Sequence, residues 1–332
     1  MPLDDTFLVS RLNQRNGGTD SLELIIEQFT GMVEGTLNRV SKLKGWVPVQ
    51  QVQGTSTIRM DGVGESQLQV LQPGVTPDGT RTEFGKAVLT IDTIVLARAV
   101  LGLLDLRQTN FEKRAYIADE HGKKLGKLWD QAMFIQAVKA SQLANSRFHN
   151  AGNELDGHSG GSIETLTAAG DKSDPAKLYA ALARLLTKME LKDVDPQVDG
   201  CVLAVKPDVF YTLLQSEQLI NSEYITSAGN SVKGMMLAAY GIPVIRSNNY
   251  PAGENITAHP LSTAVNGNGY NGDFTKVVAT VMAPRSLFAG ETIPLTTETF
   301  YDQVSKAHFV DAHMSYGATP GRAEFAGSIV QP

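Results

Sequence analysis

Leu22, Ile25, Ile26, Phe29, Met32, Val33, Leu37 and Val40 recur at helical spacing and form one apolar stripe. Asp20, with Glu23 three positions on, reads as a capping box that starts this helix. Residues 1–19 before it are polar, rich in Asn, Gly and Arg, and expected to be mobile. So continuous a stripe must bury against something, and its own domain or a neighbouring copy would both serve. From Trp46 to about Val100 the texture changes. Val47, Val49, Val52 and Ile58 sit among polar residues, and then Asp61-Gly62, Pro73-Gly74 and Pro77-Asp78-Gly79 crowd in as turn signals. The strand-like run Lys86–Asp92 follows. This pattern predicts a long two-stranded excursion that leaves near Thr55 and returns near Lys86. Two strands alone have too little hydrophobic face to be stable, so the excursion expects a partner.

Asn110 to Arg147 contains no proline and carries a helical pattern, with Phe111, Ala118, Leu125, Trp129, Ile135 and Val138 among its apolar positions. At 1.5 Å per residue such a helix would be about 50 Å long. Gly122 and Gly126 lie inside it, each costing about 1 kcal/mol relative to Ala, and so point to close packing or a bend. Phe148 to Ser173 reads as a polar loop. Asp174 and Pro175 then open a second helix with Leu178, Ala181, Leu182, Leu185, Leu186 and Met189 on one face. From Asp199 the pattern is α+β: a strand at Cys201–Val205, a short helix from Pro207, a helix through Met235–Leu237 and a strand at Ile242–Ile245. A glycine- and asparagine-rich loop, Asn266 to Asp273, leads to a strand at Val277–Met282. Further strand material lies around Phe309–Ser315 and Phe325–Val330.

Composition narrows the function. The chain has 332 residues, 42% hydrophobic and 19% charged, enough for two compact domains or one domain with large excursions, with a core that needs no disulfide or metal. With 29 Lys and Arg against 35 Asp and Glu, its net charge of -6 argues against tight nucleic-acid binding. The one cysteine, Cys201, sits in an apolar run and is expected to be an inert core residue. Met1–Ser10 lacks the basic-then-apolar pattern of a secretory signal, and Ile94–Leu104, interrupted by Arg98, is too short to span a bilayer. A soluble protein that matures in a reducing cytoplasm, without membrane contact, is expected.

Chemistry is hard to find. Gly157-His158-Ser159-Gly160-Gly161 matches the G-x-S-x-G pattern of a nucleophile elbow, and His308 or His313 with Asp273 would complete a triad around Ser159. The preceding residues do not read as a buried strand, however, and no oxyanion segment lies upstream. The six histidines, 121, 149, 158, 259, 308 and 313, make no H-E-x-x-H motif. Residues 122–127 have the wrong spacing for a phosphate loop, and Asp193, Asp195 and Asp199 do not follow the calcium-loop pattern. No cofactor, no metal and no enzymatic activity are expected.

The order of parts is more telling: a terminal arm with an apolar helix, a long hairpin, a very long helix, an α+β domain and a return to strands. It resembles the Hong Kong 97-type phage capsid fold, whose parts are the N-arm, E-loop, P-domain with spine helix, and A-domain. Local sequence is similar to the major capsid proteins of T-seven-like short-tailed phages. The similar segments are Phe29–Val33 with Leu37 and Val40, Val88–Asp92, Gly241–Val244 with Ser247–Pro251, and Ala312, Tyr316-Gly317, Arg322, Glu324 and Ala326-Gly327. Ala323 stands where that family commonly has proline.

The resemblance implies an α+β chain divided as 1–50 N-arm, 51–98 E-loop, 99–192 P-domain with spine helix, 193–286 A-domain and 287–332 P-domain return strands. It also implies a subunit that self-assembles as hexamers and pentamers into an icosahedral head shell around double-stranded DNA. Partners would be other copies, a separate scaffolding protein, a portal at one vertex and DNA held by weak non-specific contact. The location would be the virion capsid, assembled in the host bacterial cytoplasm. No lysine–asparagine self-crosslink is expected. Candidate intersubunit residues are Arg59, Asp61, Arg81 and Glu83 on the hairpin, and Asn266, Asn268 and Asp273 on the loop near the ring centre. Gly122 and Gly126 are the expected flexing points of the spine. An encapsulin-like compartment that encloses protein cargo is the alternative of the same fold, and a Ser159 hydrolase the alternative of another class.

Overall fold

Asp174 accepts hydrogen bonds from the backbone N–H of Ala176 and Lys177 at 3.1 and 3.4 Å, and Pro175 supplies a ready-made first helical residue. The helix they start buries all six residues of the predicted face, Leu178 to Met189. In a computed structural model, the structure describes residues 21–66, 68, 70, 73–74, 79, 82–102, 112–150, 153–215 and 238–332. The predicted mobile arm, the Asp20 cap, Arg81, the Pro77-Asp78 turn and the helix through Met235–Leu237 lie outside them.

In chain order the elements are α1 (Ser21–Val40), β1 (Val49–Gln51), β2 (Thr57–Val63), β3 (Phe84–Thr90), β4 (Val95–Gly102) and α2 (Glu112–Gln142). Next come β5 (His149–Asn150), β6 (Asn153–Glu154), β7 (Ser162–Thr165), α3 (Pro175–Glu190), β8 (Val202–Val205) and α4 (Pro207–Leu214). The remainder are β9 (Ala238–Ala239), β10 (Ile242–Arg246), β11 (Asn255–Ile256), β12 (Gly272–Asp273), β13 (Val277–Met282), β14 (Leu287–Asp302), β15 (Ala307–Pro320) and β16 (Ala326–Val330). The chain forms two units. One comprises residues 1–41, 94–129 and 293–315, the other residues 42–93, 130–292 and 316–332.

In the first unit, α1 lies on the first half of α2. Phe29, Val33 and Leu37 are buried, so this part of the predicted stripe finds its cover within the chain. The contact is backbone-close. A Cβ at Gly122 would stand 2.7 Å from the Val33 carbonyl oxygen and 2.8 Å from Thr36 Cβ, and one at Gly126 3.3 Å from the Leu37 carbonyl oxygen. Asp119 ties the pair together, accepting from Thr36 Oγ1 and Arg39 Nη2, each at 3.0 Å, and from Lys123. The Lys123 hydrogen bond, then that of Thr36, holds its carboxyl below the usual range. β4 pairs antiparallel with β15, from Val95↔Met314 to Gly102↔Ala307.

The second unit centres on a six-stranded sheet ordered β7-β16-β13-β8-β10-β9. All six residues of β13 are buried because both faces are covered. On one side α3 and α4 contribute Leu182, Leu185, Val209 and Phe210 to a core shared with Leu203, Val281 and Ile329. On the other, Phe134 of α2 meets Tyr250 edge-on at 5.6 Å, Tyr250 Oη lies 2.6 Å from Thr280 Oγ1, and Ser141 bonds Ser328. Where the sequence reads as a polar loop between 148 and 173, the structure places β5, β6 and the edge strand β7. Strands this short and polar carry too little periodicity to be read, and pairing with β16 forms β7.

The predicted excursion is the β2–β3 hairpin, in register from Thr57↔Thr90 to Val63↔Phe84. Its root is not an isolated ribbon. Lys86 pairs with His149, which adds β5 and β6, and Met60, Ala87, Phe148 and Leu155 form a small core beneath. A second core joins Val52, Leu89, Ile91 and Phe288.

Candidate assembly surface

Past this root the hairpin leaves its apolar side chains in water. Val63 and Phe84 oppose each other at the far end of the β2–β3 ladder and are 52% and 63% exposed, Leu68 beyond them is almost fully exposed, and Val88, on the outward face of the root itself, is 44% exposed. A cross-strand pair of exposed apolar residues makes this end of the ladder a candidate docking surface. Of the predicted contact residues here, Arg59 and Asp61 lie on one face of β2 and pair at 3.2 Å. Glu83 is exposed at the mouth of the hairpin, where its carbonyl accepts from Gly64 N–H at 2.8 Å.

The loop residues have local roles. Asn266 Nδ2 donates to the Leu261 carbonyl at 2.6 Å and to Asp92 Oδ1 at 3.3 Å, while its oxygen accepts from Thr263 and Gly269 N–H. Asn268 occupies the left-handed region at φ 54°, and Asp273 closes a turn on Thr275. The structure therefore brings Asn266 to Asp92 at the foot of β3, while Asn268 and Asp273 serve the loop itself.

Two charged contacts escaped sequence reading. Arg98, which interrupts the run Ile94–Leu104, grips Asp311 of β15 with Nε at 2.8 and 3.0 Å and Nη2 at 2.5 Å, and the carboxylate is buried. The stacked rings of Phe300 and Phe309 lie under the guanidinium at 5.7 and 5.5 Å. The signal available was one arginine at a solvent-alternating position of an apolar strand. Likewise Glu164, half of the outward-and-inward alternation of β7, pairs with Arg184 at 2.5 Å and Lys188 at 2.8 Å.

The G-x-S-x-G segment is a packing turn. Cβ atoms at Gly160 and Gly161 would overlap the backbone of residues 140–144 at the end of α2, which explains the two glycines without catalysis. Lys192 Nζ donates to both their carbonyls, at 2.9 and 2.8 Å. His158 is turned away into a contact with the Val63 carbonyl at 3.1 Å and Glu324 Oε1 at 3.4 Å. No helix follows Ser159; the chain enters β7 instead. Cys201 is buried and its thiol is pushed up to about 12 by that burial. Among the described residues no group of three His, Cys, Asp or Glu is placed to hold a metal, and no helix is long and apolar enough to cross a membrane.

The fold is that of phage shells. Over 97% of this chain and 98% of the other, it matches the capsid structure of the cyanophage P-SCSP1u with a TM-score of 0.72 at 18% identity. It also matches the mature capsid of bacteriophage PhiM1, covering 88% and 87% of the two chains, with a TM-score of 0.71 at 22% identity. A virus-like particle from Pyrococcus furiosus, at 12% identity over 93% and 99%, gives 0.54. These matches define the fold as the Hong Kong 97-type capsid architecture. The family model for Gp10A-like major capsid proteins matches residues 82–307, and the chain belongs to that family. No curated protein matches the chain. It is a structural protein that assembles with copies of itself into the head shell of a tailed phage.

Proposed function

We propose that the chain builds an icosahedral shell of hexamers and pentamers around double-stranded DNA, and that its hairpin, Thr55 to Lys86, lies across the P-domain of the next subunit. The exposed Val63–Phe84 pair carries this reading. Burying it with its neighbours across an interface of about 1,600 Å² in total supplies a modest contact, and many such contacts make a closed shell cooperative. In this reading residues 1–50 are the N-arm, 51–98 the E-loop, 99–192 and 287–332 the P-domain, and 193–286 the A-domain. Arg59, Asp61, Arg81 and Glu83 pair across subunits, and Asn266, Asn268 and Asp273 lie near the ring centre. A scaffolding protein guides assembly in the host bacterial cytoplasm, a portal fills one vertex, and the acidic chain touches DNA weakly. The chain performs no catalysis. Expansion moves the spine α2 and the N-arm α1, with Gly122 and Gly126, where the two backbones meet, as the points of flexure.

Replacing residues 62–85 by a two-residue Asn-Gly turn, which joins the paired Asp61 and Lys86 and removes Val63 and Phe84, tests the hairpin. The shortened subunit should fold with unchanged circular dichroism yet give no closed particles by negative-stain microscopy with scaffold present. Normal shells from the shortened chain would refute the crossing. Nuclease-protected DNA in particles of the full chain separates a head shell from a protein-cargo compartment.

A further inference from the structure

A cleft of about 360 Å³ in the second unit is bordered by two cations and by no paired anion. It lies among the end of α2, the strand β3 and the loop at 265–270. Lys139 Nζ donates to the Gly269 carbonyl at 2.8 Å, beside Gln136 Nε2, which does the same. Arg147 has no ion pair and no hydrogen bond among the described residues, and Lys139 has no ion pair. Burial lowers the pKa of both, with no carboxylate opposing it. Asp92 reaches the lining loop, but its two oxygens are taken by the Thr263 hydroxyl and the Asn266 amide.

Two partly desolvated cations without a counter-charge are unfavourable in the lone subunit, and an anion from outside relieves them. A double helix, whose major groove alone is about 12 Å wide, is too large for this cleft. A second copy has the right chemistry. At the outer end of its hairpin Glu65 and Glu83 are both exposed, adjacent through the Gly64–Glu83 hydrogen bond, and free of ion pairs among the described residues. They flank the exposed apolar pair Val63 and Phe84, while the cleft sets its cations beside the exposed Val88 and Val265. Charge and apolar surface match on both sides.

We infer that this cleft receives the hairpin end of a neighbouring copy, with the Glu65 and Glu83 carboxylates pairing with Arg147 and Lys139. The inference rests on the proposed crossing of the hairpin onto the next subunit. In the full chain, Lys139→Gln with Arg147→Gln should leave the unassembled subunit as stable as before, or more so. The same pair should cut the yield of closed particles about tenfold or more, the loss of roughly one modest contact per subunit. Charge reversal by Lys139→Glu and Arg147→Glu should abolish shells, and adding Glu65→Lys and Glu83→Lys in the same chain should restore them. Undiminished shells from the glutamine pair, or no recovery in the fourfold variant, would overturn the inference. A photo-crosslinking residue at position 83 of assembled shells separates the two readings. Attachment to residues 139–147 of another copy supports the cleft. Attachment to another copy elsewhere overturns the cleft and leaves the crossing intact, and no attachment between copies overturns both.

Discussion

His259 shows how burial alone sets a charge. Its ring stacks on Tyr270 at 5.2 Å, its Nδ1 accepts from Leu261 N–H at 3.2 Å, and desolvation pushes its pKa down to about 4 from 6.5. His121, edge-on to Phe29, is lowered by the same cause. The unfolded chain therefore binds protons that the folded chain does not, between about pH 4 and 6.5, so stability rises with pH across that window. Chemical denaturation of the unassembled subunit at pH 4.5 and 6.5 should show the loss on the acid side. His259→Asn, whose amide oxygen replaces Nδ1 as acceptor, should reduce that slope and leave the His121 share. Tyr250 is a simpler case. Tyr250→Phe removes one buried hydroxyl contact while Thr280 keeps Ser328 at 3.2 Å, so a loss of about 1 kcal/mol is expected in the same assay. None of these roles was legible in the sequence, because a histidine or tyrosine carries no mark of burial until its neighbours are known.

Among elements, the contact of α1 with α2 is the most sensitive to a single methyl group. Gly122→Ala places a Cβ against the Val33 carbonyl and Thr36, which cannot yield without moving α1, and should cost about 1–3 kcal/mol by overpacking. Gly126→Ala, with its nearest atom at 3.3 Å, should cost less, and a helix-propensity gain of about 1 kcal/mol offsets part of it. Thermal unfolding of the two variants checks the order. A flexure role for these glycines adds a second readout: both variants should slow shell expansion beyond what their stability loss accounts for. The helices were readable because a 3.6-residue period repeated over about three turns or more: Leu178 to Met189 emerges in the structure as the buried face of α3. β14 was not. Its central stretch alternates weakly through Thr, Glu and a proline, and it is a strand because β1 and β15 lie beside it.

For the whole molecule, the proposed crossing leaves the far end of the β2–β3 ladder to be covered by a neighbouring subunit. Hydrogen exchange should find the hairpin root, cored by Phe148 and Leu155, equally protected in the free subunit and in shells, while amides flanking Val63 and Phe84 gain further protection in shells. Equal protection in both states would mean that no neighbour covers the outer end. In the proposed shell, the net charge of -6 would keep contact with packaged DNA weak and leave carboxylates available for cations such as Lys139 and Arg147.

The linear pattern of residues by itself determined the four described helices, the hairpin, the buried cysteine and the order of parts that identifies a shell subunit, since each depends on periodicity, turn chemistry or sequence near at hand. Only the tertiary structure decided that Phe29, Val33 and Leu37 of α1 are covered by their own chain, that Gly160 and Gly161 serve packing, and that Arg98 belongs to Asp311 more than 200 residues away. Those outcomes depend on which surfaces come within a few ångströms of each other, and proximity between distant segments leaves no periodic trace in either one.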